Sequence, residues 1–260
     1  MRLATRSWGE EGRPIAVLIH GVTSSSRTWW RVGPWFARRG WRTVAVDLRG
    51  HGDSPRMSGG ETLADLASDV HETVQGLLNP GERVDVLAGH SLGALTSLKL
   101  GTDHPDIMRR LVLEDPPDSK GGPSGFEEIA QEVEAGVARS KEDLDAVFQT
   151  LRAENPSWTN RDVANDVAGD LACDAKPVAA LVRNGLRIDV PAMIGALEMP
   201  TLLMLGGEDK GSVMLEPERS AVVKALRHGT VEVFETGHNI HRDDFESYVG
   251  ILGRWLGEAG

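Results

Sequence analysis

Residues 84–100 read VDVLAGHSLGALTSLKL, and this stretch decides the fold. Its first part, Val84–Leu87, is a short apolar run typical of a strand buried on both faces, whereas Ala94–Leu100 has the composition of a helix. Between them, Gly89-His90-Ser91-Leu92-Gly93 matches the G-x-S-x-G pattern of a sharp strand-to-helix turn. Such a turn strains the backbone of Ser91 and exposes its Oγ, while the two glycines leave room for neighbouring backbone. The stretch therefore predicts a serine nucleophile at the end of a buried strand.

Short apolar runs recur on both sides of this stretch and alternate with amphipathic segments. One such segment, Glu61–Leu78, carries its apolar residues on one stripe at a 3.6-residue period, and Pro80-Gly81 ends it. Repeated strand–helix–strand units are typical of a parallel sheet with right-handed crossovers, so the chain is predicted to be an α/β protein. The other predicted strands are Ile15–Ile19, Thr43–Val46, Leu111–Leu113, Thr201–Leu205 and Val231–Phe234.

One segment, Pro116–Leu197, interrupts this alternation. After a Gly/Pro/Ser stretch it carries helical patterning without a convincing strand, and we expect three short helices at Glu127–Val137, Glu142–Glu154 and Arg161–Leu171. It holds 14 acidic and 8 basic residues, so a net charge of −6 out of the chain's −11 falls here. We therefore predict a core formed by residues 1–115 and 198–260, with residues 116–197 inserted as a helical cap, or lid.

Composition and charge exclude several classes of protein. The chain has 260 residues, of which 40% are apolar and 26% charged, as is usual for a globular domain. A net charge of −11 disfavours phosphate backbones and anionic lipid, so we expect neither nucleic acid nor membrane as a partner. The polar stretch Met1–Pro14 lacks the apolar core of a signal peptide, and Cys173 is the single cysteine. These features predict a cytoplasmic protein.

A second motif, His20-Gly21-Val22, follows the predicted strand Ile15–Ile19. Acyl transfer places negative charge on the oxygen of the attacked carbonyl, and two preorganised N–H groups can stabilise that charge. The backbone N–H of Leu92 is one natural donor because it opens the helix after Ser91. The loop after the first core strand is expected to supply the other, from Val22. The two motifs together predict an oxyanion hole.

These motifs resemble those of the α/β-hydrolase superfamily, and the resemblance runs from about Arg13 to Leu256. It includes Asp47-Leu48-Arg49-Gly50-His51-Gly52-Asp53-Ser54 after the second core strand, with Gly206-Gly207-Glu208-Asp209 and Gly237-His238 towards the carboxyl end. It implies the α/β-hydrolase fold, a mostly parallel twisted sheet of about eight strands with helices on both faces. It also implies that Pro116–Leu197 is the family's helical cap. The stretch before Ile15 is short, so we expect one edge strand fewer.

The resemblance also implies a catalytic triad in the order nucleophile, acid, histidine. His238 would take the proton of Ser91 and return it to the leaving group, and Asp209 would orient the imidazole. Both follow strands, where ligands bind in open α/β sheets. Glu114 and Asp115 end another core strand, a position that some members of the family use for the acid, so either is an alternative.

The remaining polar and aromatic residues near these motifs have less specific interpretations. Trp29 and Trp30 follow the oxyanion loop and serve either as packing anchors of the first helix or as walls of an apolar substrate pocket. His241 is expected to line the pocket or cap a helix. His238, His241 and Asp243 have no second cluster of ligands, and a serine nucleophile needs no metal, so we predict neither a metal nor a cofactor.

Serine at the turn narrows the reaction class. Relatives that open epoxides or displace halide carry aspartate there, and the single Gly21 lacks the His-Gly-Gly-Gly run of some lipases and esterases. We therefore expect a cofactor-free serine esterase or lactonase acting on a small apolar ester or lactone. The alternatives are a carbon–carbon bond hydrolase or a haloperoxidase-like enzyme on the same fold. A receptor that retains the triad but hydrolyses its ligand slowly or not at all is an alternative from another class.

Overall fold

A computed structural model describes residues 1–121 and 125–257. Within these residues seven strands form one sheet, in the order β1-β3-β2-β4-β5-β6-β7. Every neighbouring pair is parallel except the amino-terminal edge strand β1, which runs antiparallel to β3. The strands are β1 (Thr5–Trp8), β2 (Ile15–Ile19), β3 (Arg42–Val46), β4 (Val86–His90), β5 (Leu111–Glu114), β6 (Thr201–Leu205) and β7 (Gly229–Val233).

The predicted α/β-hydrolase fold is confirmed, with seven strands in the described part of the chain against about eight expected. The six strands predicted from apolar runs are present, although β4 begins and ends later than Val84–Leu87. The strand that the sequence did not indicate is β1. Three of its four residues are exposed and it pairs with β3 alone, so it has no apolar run to reveal it.

Helices cover both faces of the sheet because successive strand residues point to opposite sides. In β2, Val17 and Ile19 pack in one apolar cluster with residues of helices α2 and α3, whereas Ala16 and Leu18 pack in a second cluster with α1 and α11. The helices of the core are α1 (Val32–Arg38), α2 (Leu63–Gln75), α3 (Leu92–Asp103), α9 (Glu218–Ala225), α10 (Ile240–Asp243) and α11 (Phe245–Trp255).

The segment between β5 and β6 contains five helices among its described residues, two more than predicted. They are α4 (Gly125–Glu142), α5 (Leu144–Glu154), α6 (Asn160–Leu171), α7 (Ala175–Gly185) and α8 (Val190–Gly195). Pro177 lies in the first turn of α7, where a missing N–H costs nothing, so it does not interrupt the helix. Pro191 likewise lies in the first turn of α8.

The helices of this segment differ in how deeply they pack. Val133 of α4, Leu181 of α7 and Ile194 of α8 belong to the apolar cluster that also contains Leu203 of β6. Most side chains of α5 are exposed, and none is fully buried. Helices α4, α7 and α8 therefore pack into the core, whereas α5 lies at the surface. No helix in residues 1–121 or 125–257 is long and apolar enough to cross a bilayer.

Candidate active site

Ser91 occupies the sharp turn between β4 and α3 that the sequence predicts. Its backbone has φ 53° and ψ −117°, and its N–H donates to the carbonyl oxygen of Glu114 at 3.0 Å. A Cβ on Gly89 would lie 2.2 Å from the carbonyl oxygen of Gly93, and one on Gly93 would lie 2.2 Å from that of Ile19. Any larger residue at either position would collide with backbone. The turn therefore depends on both glycines.

The loop after β2 packs directly against this turn. A Cβ on Gly21 would lie 3.2 Å from the Cβ of Ser91, so the chain passes the serine at van der Waals distance. Val22 follows at once and is half-buried. Leu92 is the first residue of α3, and the N–H groups of a first helical turn have no acceptor within the helix. Of the two residues predicted to form the oxyanion hole, Leu92 therefore directly follows Ser91, and Val22 directly follows Gly21.

Buried hydrogen bonds fix the loop in this place. The His20 ring spans from the carbonyl oxygen of Gly21, 2.7 Å from Nδ1, to the backbone N–H of Leu48, 2.9 Å from Nε2. Burial lowers the pKa of His20, so the ring is neutral and donates from Nδ1. Asp47 accepts from the N–H of Asp53 at 3.0 Å, which closes the turn after β3. His20 and the segment from Asp47 to Ser54 thus brace the site.

His238 pairs with Asp115. Its Nδ1 lies 2.7 Å from Oδ2 of Asp115, a fully buried carboxylate that directly follows β5. Asp115 also accepts from the N–H groups of Gly206 and Val213, each at 3.0 Å, and from the hydroxyl of Ser212 at 2.7 Å. Four donors therefore hold this carboxylate in one orientation towards the histidine.

The prediction that Asp209 partners the histidine is wrong. Its side chain is 79% exposed and lies 3.4 Å from Lys210 in a short 3-10 helix, Glu208–Lys210. The loops after β6 and β7 pack closely on both sides of Asp209, because a Cβ on Gly206 would lie 2.5 Å from the carbonyl oxygen of Gly237 and a Cβ on Gly237 would lie 2.5 Å from that of Lys210. Between these contacts the Asp209 side chain points to solvent, and Asp115 occupies the position at Nδ1 of His238. The alternative acid Asp115 takes the place expected for Asp209.

His238 lies beside the serine turn. The rings of His90 and His238 have centroids 4.6 Å apart, and His90 Nε2 lies 3.0 Å from the carbonyl oxygen of His238. Since His90 immediately precedes Ser91, this contact brings the histidine loop beside Ser91. The His238 side chain keeps 23% of its surface exposed, whereas Asp115 behind it keeps none. The serine, histidine and carboxylate thus come from β4, the loop after β7 and the end of β5.

Glu114 and His241 form a second pair on the buried side of this site. Oε1 of Glu114 lies 2.8 Å from Nδ1 of His241 and accepts its backbone N–H at 2.9 Å. Burial raises the pKa of Glu114 to about 8 and lowers that of His241 well below its usual value. Glu114 therefore meets His241 rather than His238. The expectation that His241 lines the substrate pocket is wrong, because its side chain is 1% exposed and enclosed in the core.

Trp29 and Trp30 also lie outside a substrate pocket. Trp29 is fully buried, with its ring 4.5 Å from that of His241. Trp30 donates from Nε1 to Asp162 of α6 at 2.8 Å, and so joins the first helical turn to the inserted segment. Trp29 is therefore a packing anchor, while Trp30 is half-buried at the contact between this turn and α6.

A cavity of about 520 Å³ opens beside the loop after β2. Val22 and Thr23 form one side, and helices α4, α5 and α6 form the others. Burial raises the pKa of one wall residue, Asp170, to about 6, and this carboxyl accepts the hydroxyl of Ser140 at 2.7 Å. Apolar walls come from Ile129, Val133, Val147 and Leu151, and charged walls from Glu128, Glu132, Arg139, Asp166 and Asp170.

The histidines of the carboxyl-terminal loop do not converge on a common point. His238 faces Asp115, His241 faces Glu114, and Asp243 accepts the indole N–H of Trp158 at 2.6 Å. Across residues 1–121 and 125–257, no three His, Cys, Asp or Glu side chains are grouped as a metal ion requires. What the geometry brings together is a serine, a histidine and a carboxylate.

This chain belongs to the alpha/beta hydrolase family, whose model matches residues 16–250. It is similar to the N-formylmaleamate deformylase of Pseudomonas putida, with 27% identity across 96% of this chain and 90% of that protein. It is also similar to the 2-(acetamidomethylene)succinate hydrolase of Mesorhizobium japonicum, with 29% identity across 76% of this chain and 72% of that protein. Its fold matches the enol-lactonase from Burkholderia xenovorans LB400 with a TM-score of 0.78, at 19% identity and 98% and 96% coverage of the two chains.

Proposed function

We propose that the protein is a hydrolase that cleaves a carboxylic ester, a lactone or a related acyl compound through an acyl-enzyme on Ser91. The observation that carries this proposal is the His238–Asp115 pair, with 2.7 Å between Nδ1 and Oδ2, on a loop that contacts the serine turn through His90. A histidine base needs a carboxylate of this kind to hold the tautomer that accepts a proton from serine.

Each residue then has one role in the reaction. Nε2 of His238 takes the Ser91 proton as Oγ attacks the carbonyl carbon, and Asp115 stabilises the resulting imidazolium. The N–H groups of Val22 and Leu92 stabilise the negative oxygen of the tetrahedral intermediate. The imidazolium returns the proton to the leaving group as the bond to the carbonyl carbon breaks. Water, activated by the same histidine, then hydrolyses the acyl-enzyme.

The cavity supports a small-molecule substrate of low negative charge. Its volume of about 520 Å³ is in the range that holds a small organic ligand. Four carboxyl groups and one guanidinium, Arg139, occur among its wall residues, so a polyanion would meet repulsion. We propose that residues 116–197 act as the lid of this site, because α4, α5 and α6 supply most of the wall.

The relatives favour a second acyl bond beside the ester. The names of the proteins from Pseudomonas putida and Mesorhizobium japonicum describe hydrolysis of an N-formyl and an acetamido compound. Amide cleavage uses the same serine, histidine and oxyanion hole, with the leaving nitrogen accepting the proton from His238. We therefore include N-acyl compounds in the proposed substrate class.

A panel of three uncharged substrate types tests this function. We expect purified protein to hydrolyse at least one of p-nitrophenyl butyrate, δ-valerolactone and an N-formyl amide. Ser91→Ala should lower kcat by about 10⁴- to 10⁶-fold on that substrate, since triad residues act as a unit. An Asp209→Asn variant, purified in the same way, should keep the wild-type kcat, because Asp209 is exposed and outside the site. Equal turnover by the wild type and Ser91→Ala would refute the proposal.

The net charge and the single cysteine support our proposals on binding partners and on cellular location. A net charge of −11 and an isoelectric point near 5.2 oppose binding to nucleic acid or anionic lipid. The lone Cys173 is buried, and burial raises the pKa of its thiol to about 12, so it is a poor nucleophile. We propose a cytoplasmic protein that uses neither a metal nor a cofactor.

A further inference from the structure

Two histidine–carboxylate pairs join the end of β5 to the segment that follows β7. Asp115 and Glu114 are adjacent at the end of β5, while His238 and His241 lie three residues apart after β7. Asp115 holds His238, and Glu114 holds His241 by both the ring Nδ1 and the backbone N–H. The loop that carries His238 is therefore tied to β5 at two points. The second point lies wholly in the core.

A hydrogen-bonded chain continues from His241 away from Glu114. Nε2 of His241 lies 2.7 Å from Oγ1 of Thr28, and Nε of Arg242 donates to the same hydroxyl at 3.0 Å. A guanidinium can only donate, so the Thr28 oxygen accepts from Arg242, which leaves the Thr28 O–H able to donate to Nε2 of His241. In that arrangement Nδ1 of His241 carries the proton and donates to Oε1 of Glu114. Oε2 of Glu114 is buried without a hydrogen-bond partner among the described residues.

This chain reaches the wall of the cavity. Arg242 forms an ion pair with Asp166 of α6, a wall residue, and its guanidinium lies 4.6 Å from the centre of the Trp158 ring. The Arg242 and Thr28 side chains are almost fully buried, so water competes little for these bonds. The network thus runs from the lid, through the core, to the strand end beside Asp115.

We propose that Arg242, Thr28, His241 and Glu114 form a positioning relay that holds the His238 loop in register with Asp115. The proposal rests on the proposed function. These residues act through His238 and do not touch the substrate. A general base must lie within hydrogen-bond reach of the proton that it removes, and a displacement of about 1 Å can lower the rate by about 10²-fold.

Glu114 gives the relay a signature in pH. Its carboxyl interacts with His238 on the loop after β7, with His241 and Arg242 on α10, with Asp115 directly after β5, and with the buried Tyr248 on α11. As the pH rises through about 8, Glu114 loses its proton, and a second negative charge forms next to Asp115. The reactivity of Ser91 should therefore show an inflection near pH 8.

Substitutions of Thr28 test the relay without altering either carboxylate or histidine. Thr28→Val keeps the shape and removes the hydroxyl, Thr28→Ser keeps the hydroxyl, and Thr43→Val removes a buried hydroxyl that bonds to the carbonyl of Gly33. With p-nitrophenyl butyrate we expect Thr28→Val to lower kcat by about 10- to 100-fold with KM unchanged. Thr28→Ser should stay within about threefold of the wild type, and Thr43→Val should match it.

Proton NMR of the histidine side chains supplies a readout that does not need turnover. The Nδ1–H signal of His238, bonded to Asp115, should shift in Thr28→Val and return in Thr28→Ser. A wild-type His238 signal and wild-type kcat in folded Thr28→Val would overturn the relay. If the wild type hydrolyses none of the substrates, the proposed function fails, and the His238 signal still decides the relay.

Glu114→Gln gives an independent test should Thr28→Val fail to fold. The amide keeps the shape of Glu114 and cannot ionise. The inflection near pH 8 in the rate at which a fluorophosphonate labels Ser91 should therefore disappear, while the Thr43→Val control retains it. An inflection that persists in Glu114→Gln would contradict the relay.

Discussion

Replacing Asp115 with asparagine changes one atom of a carboxylate that accepts four hydrogen bonds. Oδ1 receives the Gly206 N–H and the Ser212 hydroxyl, and Oδ2 receives the Val213 N–H and Nδ1 of His238. The amide NH2 of asparagine must take one of the two oxygen positions. In either position it faces a backbone N–H, so one buried donor loses its acceptor. If it takes the Oδ2 position, His238 also loses its partner.

Two magnitudes follow from this geometry. Loss of the orienting charge should lower kcat by about 10³- to 10⁴-fold near neutral pH, as in other serine–histidine–carboxylate sites. The unpaired buried donor should lower the free energy of unfolding by about 1–3 kcal/mol. Asp209→Asn removes the same charge from a side chain that is 79% exposed, so both quantities should stay near their wild-type values.

The assay compares both variants side by side. Steady-state kinetics with the best ester of the panel gives kcat, and urea denaturation gives the free energy of unfolding. The kcat deficit of Asp115→Asn should shrink at high pH, where hydroxide can replace the serine–histidine pair. A crippled Asp209→Asn together with a mild Asp115→Asn would refute the assignment of the acid.

Three further predictions concern stability and specificity. Because the pKa of Glu114 rises from 4.5 to about 8 on folding, the folded state holds one more proton between these pH values, and the free energy of unfolding should fall over that range by as much as roughly 5 kcal/mol. Urea denaturation at pH 5.5 and pH 8.5 should show this fall in the wild type and not in Glu114→Gln. An equal fall in the two proteins would contradict the raised pKa of Glu114. Gly93→Ala places a Cβ 2.2 Å from the carbonyl oxygen of Ile19, so thermal unfolding should show a loss of at least about 1–3 kcal/mol, and an unchanged Tm would refute the close approach. Leu151→Ala shortens a side chain in the cavity wall and so enlarges the cavity. It should raise kcat/KM for octanoyl esters relative to acetyl esters. An unchanged ratio of the two kcat/KM values would argue that the inserted helices do not form a lid over the substrate.

The serine turn could be predicted from sequence because its causes are local. Gly89 and Gly93 are required by backbone contacts within a few residues of Ser91 or with the neighbouring strand. Apolar runs likewise predicted the central strands, which are buried on both faces. The edge strand β1 could not be predicted, because backbone pairing with β3 holds it in the sheet and its side chains are mostly exposed.

The acid could not be ranked correctly from sequence because its place depends on how two loops pack. Asp115 and Asp209 both follow core strands and both lie between Ser91 and His238 in the chain, so chain order does not distinguish them. What decides between them is the loop after β6, which packs on the histidine's loop at Gly206 and Gly237, turns the N–H groups of Gly206 and Val213 towards Asp115, and leaves the Asp209 side chain in solvent. Such a contact joins residues 31 positions apart and leaves no periodic signal.

The burial of Trp29 and His241 is a tertiary effect of the same kind. Both carry polar atoms that are usual in pockets, yet their rings lie against each other in the core at an angle of 31°, and Thr28 and Glu114 bond to the imidazole. No motif marks Thr28, which lies in the short 3-10 helix Ser26–Trp30 and meets His241 of the distant helix α10. Partners of this type become visible only when the hydrogen bonds of each buried polar group are traced.

Covalent labelling shows whether Ser91 is a nucleophile activated by His238 and Asp115. Protein treated with a fluorophosphonate is analysed by intact-mass spectrometry, followed by peptide sequencing, with Ser91→Ala treated in parallel. We expect one adduct per chain, located on Ser91, with no adduct in Ser91→Ala and labelling slowed by about 10³-fold or more in Asp115→Asn. An unlabelled wild type, or equal labelling of Ser91→Ala, would refute the role of Ser91.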